Sequence, residues 1–94
     1  MTTVRNTKQI VVSSTAAKLL VTRTSSRTAL GVIPTTAVNV WVGSNENVSK
    51  TTGWLVNQTI PFIATETEFD PTEELWCISD SSTPTVAIYE DLEQ

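Results

Sequence analysis

Residues 38–53 read VNVWVGSNENVSKTTG, and they set the terms for the rest of the chain. Val38, Val40 and Val42 recur every second position, while Asn39 and Trp41 fall between them. That period of two belongs to a strand with one buried face, because successive side chains on a pleated backbone point to opposite sides. Gly43 ends the alternation, a polar run follows, and Gly53 stands just before Trp54. The stretch reads as a strand, a long exposed loop over 43–52 and re-entry into a second strand. Hairpin loops usually span ~2–5 residues, and longer ones are often functional.

Working backward, residues 27–33 (RTALGVI) place Leu30 and Val32 on one face and Ala29 and Ile33 on the other. Gly31 within that run signals a bulge or a close backbone approach, and Pro34 stops it because proline cannot donate to a ladder. Before it lie two short runs rich in Ile, Val and Leu, QIVVSS and AKLLVTR. Working forward, strands are expected over 54–56, 59–64, 65–69, 75–79 and 85–90. Pro61 marks an edge position or a bulge. Asp70-Pro71 is a turn signal, and another turn is expected over 80–84.

About eight short strands with turn signals between them predict an all-β fold, a small antiparallel β-sandwich of jelly-roll or immunoglobulin-like type. Its expected extent is residues 9–90. Residues 1–8 read as an extended N-terminal arm and 91–94 as an acidic C-terminal tail. Composition agrees with the class. Seventeen threonines and eleven valines, against six alanines and six leucines, favour strand, where β-branched side chains pack well. The 94 residues suit one domain whose small core is commonly supplemented by association.

Charge is segregated along the chain. Arg5, Lys8, Lys18, Arg23 and Arg27 precede residue 28 with no acid among them, and nine of the ten acids lie at 66–93. Two readings follow. Folding can interleave the segments as ordinary cross-strand pairs, or the basic end can lie on an acidic neighbour, another copy or another protein. The net charge of −4, with no aromatics among the bases, argues against a nucleic-acid groove.

Chemistry is sparse. With no histidine the usual base for a hydrolytic triad is missing, so no enzyme is expected. One cysteine excludes an intrachain disulfide, and Cys77 in the run LWCI reads as a buried small hydrophobe. No cofactor or metal is expected. Glu66, Glu68 and Asp70 at period two read as a solvated strand face. Asn47-Val-Ser49 and Asn57-Gln-Thr59 match the glycosylation pattern, but read as chance matches in a chain rich in Ser and Thr. No secretory leader is evident, so cytosolic synthesis is expected. Of the tryptophans, Trp76 is expected in the core. Trp41 is open between core and surface, and Trp54 leans toward an interface. The residues expected to make protein contacts are Arg5, Lys8, Trp41, Asn45, Asn47, Lys50 and Trp54.

The order of certain pieces resembles small β-sandwich virion structural proteins of tailed bacteriophages, of the head-decoration and capsid-fibre type. The pieces are Arg27-Thr-Ala-Leu30, Val40-Trp-Val-Gly43, Thr52-Gly53, Glu74-Leu-Trp-Cys-Ile-Ser79 and Thr85-Val-Ala-Ile88, within residues 14–90. Tryptophan stands at 41 and 76 where such proteins commonly carry tyrosine. Residues 65–74 replace their shorter Pro-Gly-Gly type turn. The resemblance implies a non-enzymatic capsid decoration protein, made in the host cytoplasm and carried on the virion exterior. It implies docking on the major capsid protein or another virion protein, association into trimers, and no nucleic-acid or membrane partner. Two alternatives stand beside it. One is an adhesion module whose Trp41, Trp54 and 43–52 loop stack on host carbohydrate; the other is a tail or neck connector.

Overall fold

The computed structural model of the chain describes residues 2–65 and 69–94. Its strands are β1 (Thr3–Val11), β2 (Lys18–Val21), β3 (Arg27–Pro34), β4 (Val40–Gly43), β5 (Trp54–Val56), β6 (Phe62–Ala64), β7 (Leu75–Ser79) and β8 (Thr85–Glu93). First pairs with last and so inward: β1 with β8, β2 with β7, β3 with β6, β4 with β5, all antiparallel. The chain is thus one long two-stranded ribbon whose tip is the loop after Gly43. The ribbon folds over so that β3 also pairs with β8 and β4 with β7. Two four-stranded sheets result, ordered β1-β8-β3-β6 and β2-β7-β4-β5. That order is a jelly roll, which decides between the two expected sandwich types.

Each inner face is built from alternating apolar residues. Leu30, Val32, Phe62, Ala64, Val86 and Ile88 from one sheet meet Leu20, Val21, Val40, Val42, Val56, Leu75 and Cys77 from the other. Val38 packs against the edge of this cluster. The valine alternation that suggested a buried strand face is therefore core, and Cys77 is fully buried as expected.

The expected arm and tail boundaries fall inside strands. Residues 3–8 belong to β1 and 91–93 to β8, paired in unbroken register from Thr3–Glu93 to Val11–Thr85. Past the strand ends, Thr2 and Gln94 exchange main-chain hydrogen bonds of 3.1 and 2.8 Å. What holds the polar stretch is the ladder itself, helped by charge, since Arg5 forks onto Asp91 at 2.7 and 2.9 Å. The strand expected over 59–64 shortens to 62–64, because Asn57 turns the chain by accepting the Thr59 and Ile60 amides on its side-chain oxygen at 2.9 and 2.8 Å. Most of the strand expected over 65–69, with Glu66 and Glu68, lies outside the described residues.

The basic and acidic segments interleave. Arg5–Asp91, Arg23–Glu73 and Arg27–Glu90 each join an early base to a late acid. Arg27 is the exception to surface pairing, being only 2% exposed. Its Nε donates to Glu90 at 2.9 Å, and its Nη1 to the carbonyls of Pro71 and Glu73 at 2.9 and 3.0 Å. Nη2 donates to the Thr22 carbonyl. A buried guanidinium survives where every donor finds an acceptor.

Candidate functional site

The loop after Gly43 does not stand free. Asn45 accepts the Asn47 amide on its side chain at 2.9 Å, closing an Asx turn. Ser49 receives the Gly53 amide on its carbonyl at 2.8 Å. Between them Val48 turns back and is buried, 7% exposed, over Gly43. Neither glycine tolerates a side chain. A Cβ at Gly43 would lie 2.8 Å from Val48, and one at Gly53 would lie 2.7 Å from Trp41 and 2.8 Å from the Ser49 carbonyl. Lys50 reaches the far end of β7, where its ammonium meets the Asp80 carboxylate at 3.0 Å and donates to the Asp80 carbonyl at 2.9 Å. The loop is folded against the outer side of its own sheet.

That outer side is apolar. In register, Leu19 lies beside Trp76, Trp76 beside Gly43, Ile78 beside Trp41, and Trp41 beside Leu55. None of Leu19, Trp76, Ile78, Trp41 and Leu55 is buried, and Leu55 is 38% exposed. The placement of Trp76 corrects the sequence expectation: Leu75, Cys77 and Ser79 take the inner face, so Trp76 and Ile78 must take the outer one. The Trp76 indole N–H donates to Glu74 at 2.9 Å, which satisfies its one donor while the ring stays at the surface. Nothing in the run LWCIS distinguishes its two apolar faces, so the sequence alone could not choose.

Trp54 sits elsewhere. It opposes Val42, on the inner side of the sheet, but at an edge that the second sheet leaves uncovered, so it is 56% exposed. Its ring meets Phe69 edge-on at 5.2 Å, and Phe69 in turn packs on Phe62 at 4.9 Å. With Leu30, Val42, Glu73 and Glu74 these rings line a crevice of about 240 Å³ between the sheets. Trp41 and Trp54 therefore face opposite sides of one sheet and do not form a common platform.

On the other sheet's outer face a groove of about 580 Å³ runs past Arg5, Gly31, Ile33, Ala87 and Tyr89. Tyr89 lies across from Gly31, and a Cβ there would fall 1.8 Å from its ring, which is the close approach Gly31 signalled. Arg5 stacks on the Tyr89 ring at 4.1 Å while holding Asp91. The hydrogen bond from Arg5 is the main cause that lowers the Asp91 pKa below the ordinary aspartate value. Lys8 lies on the same strand but faces inward in register with Ile88, and remains exposed.

The seven contact residues expected from sequence are thus divided. Trp41, Asn45, Asn47 and Lys50 share the loop-covered sheet face, Trp54 guards the crevice, and Arg5 and Lys8 lie on β1. Sequence reading missed Leu19, Leu55 and Ile78, whose signal was an apolar residue on both faces of strands 18–21, 54–56 and 75–79. Among the described residues no three His, Cys, Asp or Glu side chains gather to hold a metal ion. Burial pushes the Cys77 thiol up to about 12, so it stays protonated. Among the described residues, no helix is long and apolar enough to cross a membrane. Compared with protein-family models, with curated proteins and with solved structures, the chain finds no match.

Proposed function

We propose that this chain is a non-enzymatic structural protein of a tailed-bacteriophage virion, a capsid decoration protein that docks on the major capsid protein and stiffens the shell. One observation carries the docking reading: the outer face of β2-β7-β4-β5, where half-buried Leu19, Trp76, Ile78 and Trp41 and exposed Leu55 are neighbours in register and form one apolar row. Tryptophan-bearing apolar patches rimmed by polar groups suit protein interfaces. The pieces that carry the resemblance also have a consistent job. Arg27 is a buried clamp, Gly43 and Gly53 receive the folded loop, and Leu75–Ser79 is a central strand, so all of them build a scaffold. Many weakly held copies on a lattice gain effective concentration.

Co-sedimentation with purified capsids tests the reading. The wild-type chain is expected to pellet with mature shells and raise their heat resistance, and Ile78→Asp with Trp76→Ala to lose both. No pelleting and no heat protection by the wild type would overturn it. Docking at a neck or tail component would appear as binding to whole particles but not to empty heads. The carbohydrate reading now rests on Trp54 and its crevice alone, where a half-exposed indole stands beside Asp70, Glu73 and Glu74. Glycan binding abolished by Trp54→Ala, with no capsid binding, would favour it. A jelly roll by itself favours neither, since capsid and lectin domains share it.

A further inference from the structure

Among the described residues the sandwich has four edge strands, and three are short. β2 has four residues and a register shift, while β5 and β6 have three each, β6 directly after Pro61. β1 is different: nine residues in unbroken register with β8, with Thr3, Arg5, Thr7, Gln9 and Val11 all exposed. Folded proteins usually shorten or cover such an edge, because its free N–H and C=O groups are a template for another strand.

The hydrogen-bond phase shows which groups are free. Thr2 and Gln94 bond reciprocally, and Val12 donates to Pro84 at 2.9 Å, at the two ends of the same register. Even-numbered residues of β1 therefore turn their main-chain groups toward β8. Odd-numbered residues turn theirs outward, since antiparallel bonding alternates along a strand. Thr3, Arg5, Thr7, Gln9 and Val11 each offer one donor and one acceptor at the edge.

We propose that this edge binds the same edge of a second copy, giving a two-fold symmetric dimer in which the β1 strands run antiparallel and the two sheets become one. The sequence TVRNTKQIV is self-complementary about Thr7. With Thr7 facing Thr7, Arg5 faces Gln9, Thr3 faces Val11, Val4 faces Ile10 and Asn6 faces Lys8. The odd pairs are the hydrogen-bonded ones, so the full edge is used. Like meets like where that is favourable, threonine with threonine and aliphatic with aliphatic, and no two cations meet. Sliding by two residues one way sets Lys8 against Lys8. Sliding the other way sets Lys8 against Val4. Among the described residues Lys8 makes no ion pair within the chain, and in the symmetric register it faces Asn6 of the second copy, which lies opposite that copy's Glu90. An isologous pair, not a trimer, is what this edge encodes, and it stands whether or not the protein docks on a capsid.

Sedimentation equilibrium of the full chain tests it, over concentrations up to about 1 mM because a strand-edge contact is small. The expected mass is twice 10.3 kDa. Thr7→Pro removes a donor that β8 does not use, and edge strands accept proline there. It is expected to give a monomer with an unchanged far-ultraviolet spectrum. Gln9→Glu and Gln9→Lys leave the backbone alone and act twice by symmetry, facing Arg5 of the second copy. They are expected to tighten and loosen the dimer respectively, each by about tenfold. A monomer or a trimer at the highest concentration would overturn the proposal. So would a dimer that survives Thr7→Pro, or one indifferent to the sign of charge at residue 9.

Discussion

Replacing Arg27 with alanine should remove a large share of the protein's stability. The guanidinium donates to the Glu90 carboxylate and to the carbonyls of Pro71, Glu73 and Thr22. Truncation leaves one partly buried carboxylate without its counter-charge and three carbonyls without a donor, and opens a void where the largest fully buried side chain stood. Breaking a buried ion pair from one side costs about 3–5 kcal/mol. A domain of this length has only about 5–14 kcal/mol in total. With a urea dependence near 1–1.5 kcal/mol per molar for so small a chain, the unfolding midpoint should fall by roughly 2–5 M. Arg27→Lys should recover little of this, since one ammonium cannot span four acceptors set around a planar fork. Glu90→Gln keeps an acceptor for Nε and should cost less, about 1–2 kcal/mol. Replacing both partners with apolar residues should still destabilise, because the three carbonyls stay unsatisfied. Urea unfolding followed by tryptophan fluorescence measures all four. A loss below about 1 kcal/mol for Arg27→Ala, at an unchanged slope, would refute the clamp.

Three further outcomes follow from particular contacts. Gly53→Ala should cost at least about 1–3 kcal/mol and expose Trp41 to quenchers, because a Cβ would strike the Ser49 carbonyl and the Trp41 Cβ, neither of which can swing away. Cys77 should resist alkylation at pH 8 in the folded protein and react fully in denaturant, as mass spectrometry would show, since its thiol is buried with its pKa pushed up to about 12. The Asp91 carboxyl titrates below its unfolded value, so its contribution is present above about pH 4 and lost as pH falls through the folded pKa. The thermal midpoint of wild type should therefore exceed that of Asp91→Asn at neutral pH and converge on it in acid. The gap should be small, because the Arg5–Asp91 pair lies at the surface.

Arg27 also shows where sequence reading stops. Alternation places residue 27 with Ala29, Gly31 and Ile33 on the outer face of β3. The register shift between Arg27 and Ala29 inserts one residue and turns Arg27 inward instead. A bulge of this kind depends on the partner strand β8, some sixty residues later, and leaves no local mark. Trp76 shows the same limit from the other side. Its strand is apolar on both faces, and only the position of the opposite sheet decides that Cys77 is inside and Trp76 outside.

Residues 38–53 divide in the same way. Their alternation and their two glycines determined, without any partner, that a strand would bury Val40 and Val42 and that a loop would follow; Val38, which continues the alternation, precedes β4 and is only half-buried. Period two is a property of the backbone itself, so it is written in consecutive residues. Tertiary structure alone decided that the loop folds back, with Val48 over Gly43, Gly53 against Trp41 and Lys50 on Asp80. It also decided that residues 3–8 form an edge strand on β8. The Lys50–Asp80 and β1–β8 contacts join segments far apart in the chain, and the loop's own contacts form against a strand already held in the sheet. The all-β class was therefore legible from composition and spacing. The buried clamp, the apolar outer face and the free edge of β1 were not, because each is a relation between strands.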